Sequence, residues 1–166
     1  MGYNSYNHGE QEKGLLTEFD AQVVRPQNTT GSVSIPILTT PVDIASIDLS
    51  IDDKADRVWL TANIGWVATA NSPPGLTKVD VLWEIRKIGG LAPIYSARES
   101  SEAGFDNFKV TSLIHVDLDP ISTNKEKRVS YLLSVRLVAG GTATVIGPIT
   151  FTGAEIEGNT KNQCCE

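Results

Sequence analysis

From about Ala21 to Ile156 the chain alternates apolar and polar residues with a period of two, the pattern of strands that bury one face. In "VSIPIL" Val33, Ile35 and Ile37 alternate with small or polar residues, and Pro36, which has no ladder donor, favours a sheet edge. "VDIASIDLSI" sets Ile47, Leu49 and Ile51 against Asp48 and Ser50. "RVWLTANIGWVATA" places Val58, Leu60, Ala62, Ile64, Trp66 and Ala68 on one side and Trp59, Thr61, Asn63 and Val67 on the other. The turn "SPPG" at 72–75 ends that alternation. "KVDVLWEIRKI" then sets Val79, Val81, Trp83 and Ile85 against Asp80, Leu82, Glu84 and Arg86, and Gly89-Gly90 closes it. A short strand "APIYSAR" and the polar loop "ESSEAGFDN" follow. "FKVTSLIHVDLD" puts Phe108, Val110, Ile114 and Val116 on one face and Lys109, Thr111, His115 and Asp117 on the other, which reads as a solvated polar face. "VSYLLSVRLVA" and "ATVIGPITFTGAEI", separated by Gly140-Gly141, supply the last strands.

Eight or nine strands with turn residues at each join, and no stretch that requires a helix, predict an all-β fold. The expected architecture is an antiparallel two-sheet β-sandwich of jelly-roll type. An immunoglobulin-like Greek key is the rival, and it lacks the core cysteine pair flanking a tryptophan. The expected organisation is a flexible N-terminal arm at 1–20, a sandwich at 21–157 and a polar tail at 158–166. In the arm only Leu15, Leu16 and Phe19 are apolar anchors, followed by Val23 and Val24 in "AQVVR". Such a segment can complete an open sheet edge or groove on a neighbour by strand addition, so these five residues are candidate subunit contacts. The plainer reading is a disordered leader.

At 166 residues the chain can bury a core without disulfide staples. That makes its two cysteines, Cys164 and Cys165 in the polar tail "NTKNQCCE", unnecessary for the fold. Adjacent Cα atoms lie about 3.8 Å apart, closer than a relaxed disulfide prefers, so the two are poor partners for each other. Exposed thiols of this kind suit intermolecular disulfides, and otherwise stay reduced and inert. A net charge of −6 argues against nucleic acid or an anionic membrane as partner. The opening "MGYNSYNHGEQEKG" has no apolar run of the kind a secretory signal needs, which predicts synthesis in a cytosol.

Candidate chemistry is sparse. His115, Asp117 and Asp119 share one strand face, and Glu99 and Glu102 could add oxygen ligands, but nothing has the loop spacing of a calcium site. No glycine-rich phosphate loop opens a helix, and the trio Ser130, His115 and Asp117 is one that many β proteins offer. No catalytic residue, metal or cofactor is expected. Trp66 and Trp83 fall on apolar sides and read as core, whereas Trp59 falls on the other side, where an aromatic face could stack on a sugar.

The phrases "RVWLTANIGW", "IYSARESSE", "NFKVTSLIHVD" and "VIGPITFTGAEI" resemble spore-surface proteins of endospore-forming Bacilli, of the kind named exosporium protein C. The resemblance covers about Arg57 to Ile156 and leaves out the arm and the tail. It implies a structural role on the spore surface, in the exosporium or an appendage, with copies of the chain and other spore-surface proteins as partners. It also implies synthesis in the mother-cell cytoplasm and exposure on lysis, when Cys164 and Cys165 can oxidise. The leading expectation is therefore a self-assembling subunit of a spore surface layer or fibre, joined through the arm and secured through the tail. The alternative is a binding module or adaptor for a glycan or another surface protein.

Overall fold

A computed structural model describes residues 16–24, 34–69, 77–103, 108–122 and 127–158. The described residues form nine strands: β1 (Leu16–Val24), β2 (Ile35–Ile37), β3 (Val42–Ile51), β4 (Arg57–Thr69), β5 (Thr77–Lys87), β6 (Tyr95–Ala103), β7 (Phe108–Asp117), β8 (Lys127–Ala139) and β9 (Thr142–Ile156). They make an antiparallel β-sandwich. One sheet runs β1-β9-β4-β7, with β2 also paired to β9, and the other runs β3-β8-β5-β6. Consecutive strands mostly cross from one sheet to the other, and within the sheets only β5–β6 is a hairpin of sequence neighbours.

The alternations explain the layers. Val58, Leu60, Ala62, Ile64, Trp66 and Ala68 of β4 point inward and meet Val79, Val81, Trp83 and Ile85 of β5, all of them buried. Trp66 and Trp83 pack edge to face with ring centroids 6.1 Å apart, an arrangement the aromatic quadrupole favours. Full burial of each such side chain contributes about 1.5–3 kcal/mol by area alone. The Trp66 indole donates to Thr111 Oγ1 at 2.8 Å, which satisfies its one polar atom inside the core. Gly153 lets the sheets close here. A Cβ on it would lie 2.5 Å from Ile47 Cδ1 and 3.0 Å from Leu49 Cδ1, inside van der Waals contact.

Leu16 to Asp20, which the sequence places in the arm, lie in β1. That strand pairs with β9 of its own chain, from Leu16 opposite Ile156 to Val24 opposite Ile149. The inward residues of β1 are Glu18, Asp20 and Gln22, and they reach across to the free edge of the other sheet. Their side-chain oxygens accept the backbone N–H groups of Ser50, Asp48 and Ser46 on β3, with the Asp48 bond at 2.8 Å. An edge strand with open amides is a template for further pairing, and here three of those amides are covered by carboxylate and amide oxygens. The opposite edge is treated alike, since Lys109 Nζ on β7 donates to the Ser100 carbonyl of β6 at 2.7 Å.

The outer face of the β3-β8-β5-β6 sheet is laced with ion pairs. Arg86 meets Asp43 at 2.6 Å, Arg128 meets Asp48 at 2.9 Å, Arg98 meets Asp80 at 2.5 Å, and Arg136 meets Glu84 at 3.8 Å. Such pairs contribute little each, but they leave this face polar and charged. The Ser100 hydroxyl, with the Arg98 guanidinium beside it, lowers the Asp80 carboxyl to about 2. A depressed carboxylate adds stability that is whole above its unfolded value near 4 and is lost as pH falls through the folded value. Asp80→Asn is therefore expected to lower the urea midpoint at neutral pH and to shrink the gap to wild type between about pH 4 and 2. A gap that stayed constant across that window would show that ionised Asp80 adds nothing to stability.

Candidate interaction face

β7 reverses the orientation its sequence suggests. Phe108, Val110, Ile114 and Val116 face outward and are exposed, while Thr111, Leu113 and Asp117 are buried. The polar side is the inner one because buried groups from other strands need it. Thr111 accepts the Trp66 indole and donates to Glu99. Asp117 Oδ2 accepts the Tyr131 hydroxyl at 2.9 Å and pairs with Lys87 Nζ at 2.7 Å. His115 packs against Tyr95 with ring centroids 5.2 Å apart. Asp117 also accepts the Asp119 N–H at 3.3 Å, and Lys87 Nζ donates to the Asp119 carbonyl at 2.5 Å, so these two are engaged with Lys87 while His115 serves a separate contact. Ser130 donates to Asp48 on the outer face of the other sheet, so the paper trio with His115 and Asp117 does not converge.

The outward residues of β7 continue across the sheet. The registers place Phe19, Ala154, Trp59 and Val116 in one row across β1, β9, β4 and β7. The next row holds Ala21, Thr152, Thr61 and Ile114, and the third Val23, Thr150, Asn63 and Ser112. Beyond them Val67 lies opposite Phe108 and Gly65 opposite Val110. None of these positions carries a charge, in a chain that is 20% charged overall. Phe19 is 61% exposed, Ile114 63% and Trp59 46%.

The polar groups on this face are occupied with one another. The Thr61 and Thr152 hydroxyls share a hydrogen bond at 2.5 Å. Ser112 Oγ donates to Asn63 Oδ1 at 2.7 Å, and Asn63 Nδ2 donates to Thr150 Oγ1 at 3.5 Å. Pairing them removes much of the cost of covering the face, because a polar group loses little on burial when it keeps its partner. From standard strand spacings, ten paired positions of about 3.4 Å by four strands of about 4.8 Å give a plane of roughly 650 Å². That is near the roughly 800 Å² each partner gives to a standard interface.

Of the predicted contact residues, Leu16, Phe19 and Val23 are exposed on β1, where Phe19 and Val23 extend this face. Val24 pairs with Ile149 in the ladder. Leu15, Cys164 and Cys165 lie outside the described residues. Trp66 and Trp83 are in the core and Trp59 is on the surface. The sequence missed the face as a whole, although its main signal, four large apolar residues on one side of β7, was visible there. No protein-family model and no curated protein matches the chain.

Proposed function

We propose that this chain is a non-catalytic structural subunit that assembles with copies of itself, and that the outer face of the β1-β9-β4-β7 sheet is a contact between them. The observation that carries the reading is the contrast between the two outer faces. One is bound up in ion pairs, while the rows of the other from Trp59 to Asn63 carry no charge, are apolar along β7 and are hydrogen-bonded within themselves, with exposed Arg57 at the margin. A second copy suits it because two such faces can stack about 10 Å apart as sheets do in a sandwich, and their central rows bring no charge to desolvate. The strand order supports a finer reading of the sandwich as a jelly roll.

Face-to-face packing alone closes a dimer, so a fibre or layer needs a second contact. Exchange of β1 between copies supplies one, because a neighbour's Leu16–Val24 can form the same ladder on β9. Disulfides through Cys164 and Cys165 would then secure the links. The resemblance of 57–156 to spore-surface proteins supplies the setting, the exosporium or an appendage, with assembly after synthesis in the mother cell and with other spore-surface proteins as further partners. A glycan-binding role for the same face draws on exposed Trp59 flanked by threonine hydroxyls.

Sedimentation and negative-stain microscopy of the full chain, with and without reductant, test the reading. Wild type should form dimers or larger assemblies. The double variant Ile114→Lys, Val116→Lys should be monomeric with an unchanged circular dichroism spectrum, while Ser96→Lys on the opposite sheet should assemble normally. Reductant should weaken the larger assemblies without dissolving the face contact. A wild-type monomer at high concentration would overturn self-assembly, and a Trp59 fluorescence response to sugars would then favour the glycan.

A further inference from the structure

At one end of the sandwich, where β1, the turn between β3 and β4 and the last residues of β9 meet, three carboxylates gather. Asp52, Asp56 and Glu155 each place an oxygen within 4.8 Å of the others. Asp56 is 2% exposed and Glu155 4%, while Asp52 faces solvent. Asp56 is fixed by its turn, for its Oδ2 accepts the Asp53 N–H at 3.0 Å and its Oδ1 accepts the Gly158 N–H at 2.9 Å. Glu155 Oε2 accepts the Thr17 hydroxyl of β1. Its other oxygen, Oε1, is buried with no hydrogen-bond partner among the described residues.

A buried acidic oxygen without a partner is rare enough to need an explanation. Lys54 and Arg57 stand nearby, lining a shallow pocket with Gly158, yet among the described residues no basic side chain pairs with any of the three carboxylates. Burial, with the charges of Asp56 and Asp52 added, raises the Glu155 carboxyl above its ordinary value, against the pull of the Thr17 hydroxyl. Two chemistries relieve this arrangement: a proton shared between Glu155 and Asp56, or a cation.

We infer that Asp52, Asp56 and Glu155 form a site for a hard divalent cation, with Glu155 Oε1 turned to it and the Thr17 hydroxyl beside it. The donors are all oxygens, with no imidazole or thiolate among the three, which selects calcium or magnesium over zinc or copper. Exposed Asp52 leaves one side of the site open, where water can complete the six to eight ligands that calcium takes. The cation would bind together three segments distant in sequence, with Thr17 tying β1 to the turn and to β9 through Glu155. This inference is independent of the assembly reading.

The test is thermal unfolding of the full chain near neutral pH, in chelator and then in calcium or magnesium chloride, with sodium chloride matching the ionic strength. Binding to the folded state alone should raise Tm by about 5 °C or more once the cation is about a hundredfold above its Kd. Glu155→Gln should melt higher than wild type in chelator and stay flat in calcium. Asp52→Asn, an exposed change that spares the fold, should lose most of the response. Equal melting of wild type in chelator and in both cations would overturn the site and leave the shared proton. So would an undiminished calcium response in both variants.

Discussion

Gly65→Ala is expected to lower the stability of the folded chain by about 3 kcal/mol, the upper end of what overpacking costs, and Tm by about 6–12 °C. A Cβ at this position would lie 1.9 Å from the carbonyl oxygen of Gly147 and 2.4 Å from its carbon. Both are backbone atoms, so no rotamer can move aside. The β4–β9 register shifts between Ile64 and Trp66 at this place, and the two central strands of the sheet come together around it. Relief would have to separate them, beside the buried ring of Trp66. Gly89→Ala is the control: its φ of +84° costs an alanine about 1–2 kcal/mol, but nothing lies within 4 Å of the added carbon. Urea unfolding of the pair separates close approach from backbone conformation, and equal losses would show that the contact at Gly65 relaxes.

Asp117→Ala should cost about 3 kcal/mol, because it strands the buried Tyr131 hydroxyl and takes the carboxylate from Lys87, whose ammonium keeps only the Asp119 carbonyl. The Tyr131 hydroxyl is buried and donates to Asp117 Oδ2, and the Lys87 ammonium lies 2.7 Å from the same oxygen. Burial, followed by the nearby Asp117 charge, pushes the Tyr131 phenol well above its ordinary range, so it is a neutral donor at neutral pH. Lys87 is 22% exposed and can recover some water, which holds the loss to the lower end for a broken buried pair. Tyr131→Phe should cost only about 1–2 kcal/mol, since Asp117 keeps its lysine. The double variant should then be less destabilised than the sum of the two. Strict additivity in equilibrium unfolding would mean that the hydroxyl and the carboxylate are not coupled.

The period-two pattern identified most strands and the core faces of β3, β4 and β5, because in those strands the large apolar side is also the buried one. β7 failed for a physical reason. Alternation separates two faces without saying which is inside, and hydrophobicity decides only when the inner positions have no polar task. At β7 they have one, since Thr111 serves the Trp66 indole and Asp117 serves Tyr131 and Lys87, partners 14 to 45 residues away on other strands, which no local window shows. β1 has the same polar-inward orientation. Leu16 and Phe19 look like anchors, yet Glu18, Asp20 and Gln22 make the inward contacts, to amides that become free only once β3 is an edge. The acidic cluster was equally hidden, as Glu155 stands about a hundred residues from Asp52 and Asp56.

The reach of β1 across the sandwich gives the fold a single latch. Its backbone closes the β9 side of one sheet while its side chains seal the β3 margin of the other. Release of this one segment would unseal both layers together, baring a ladder and a row of amides at the same end of the domain. Any copy of the segment, whether from the same chain or a neighbour, could restore both in one docking event. A chain that had lost its latch would therefore be a vacant receptor for the same segment of another copy.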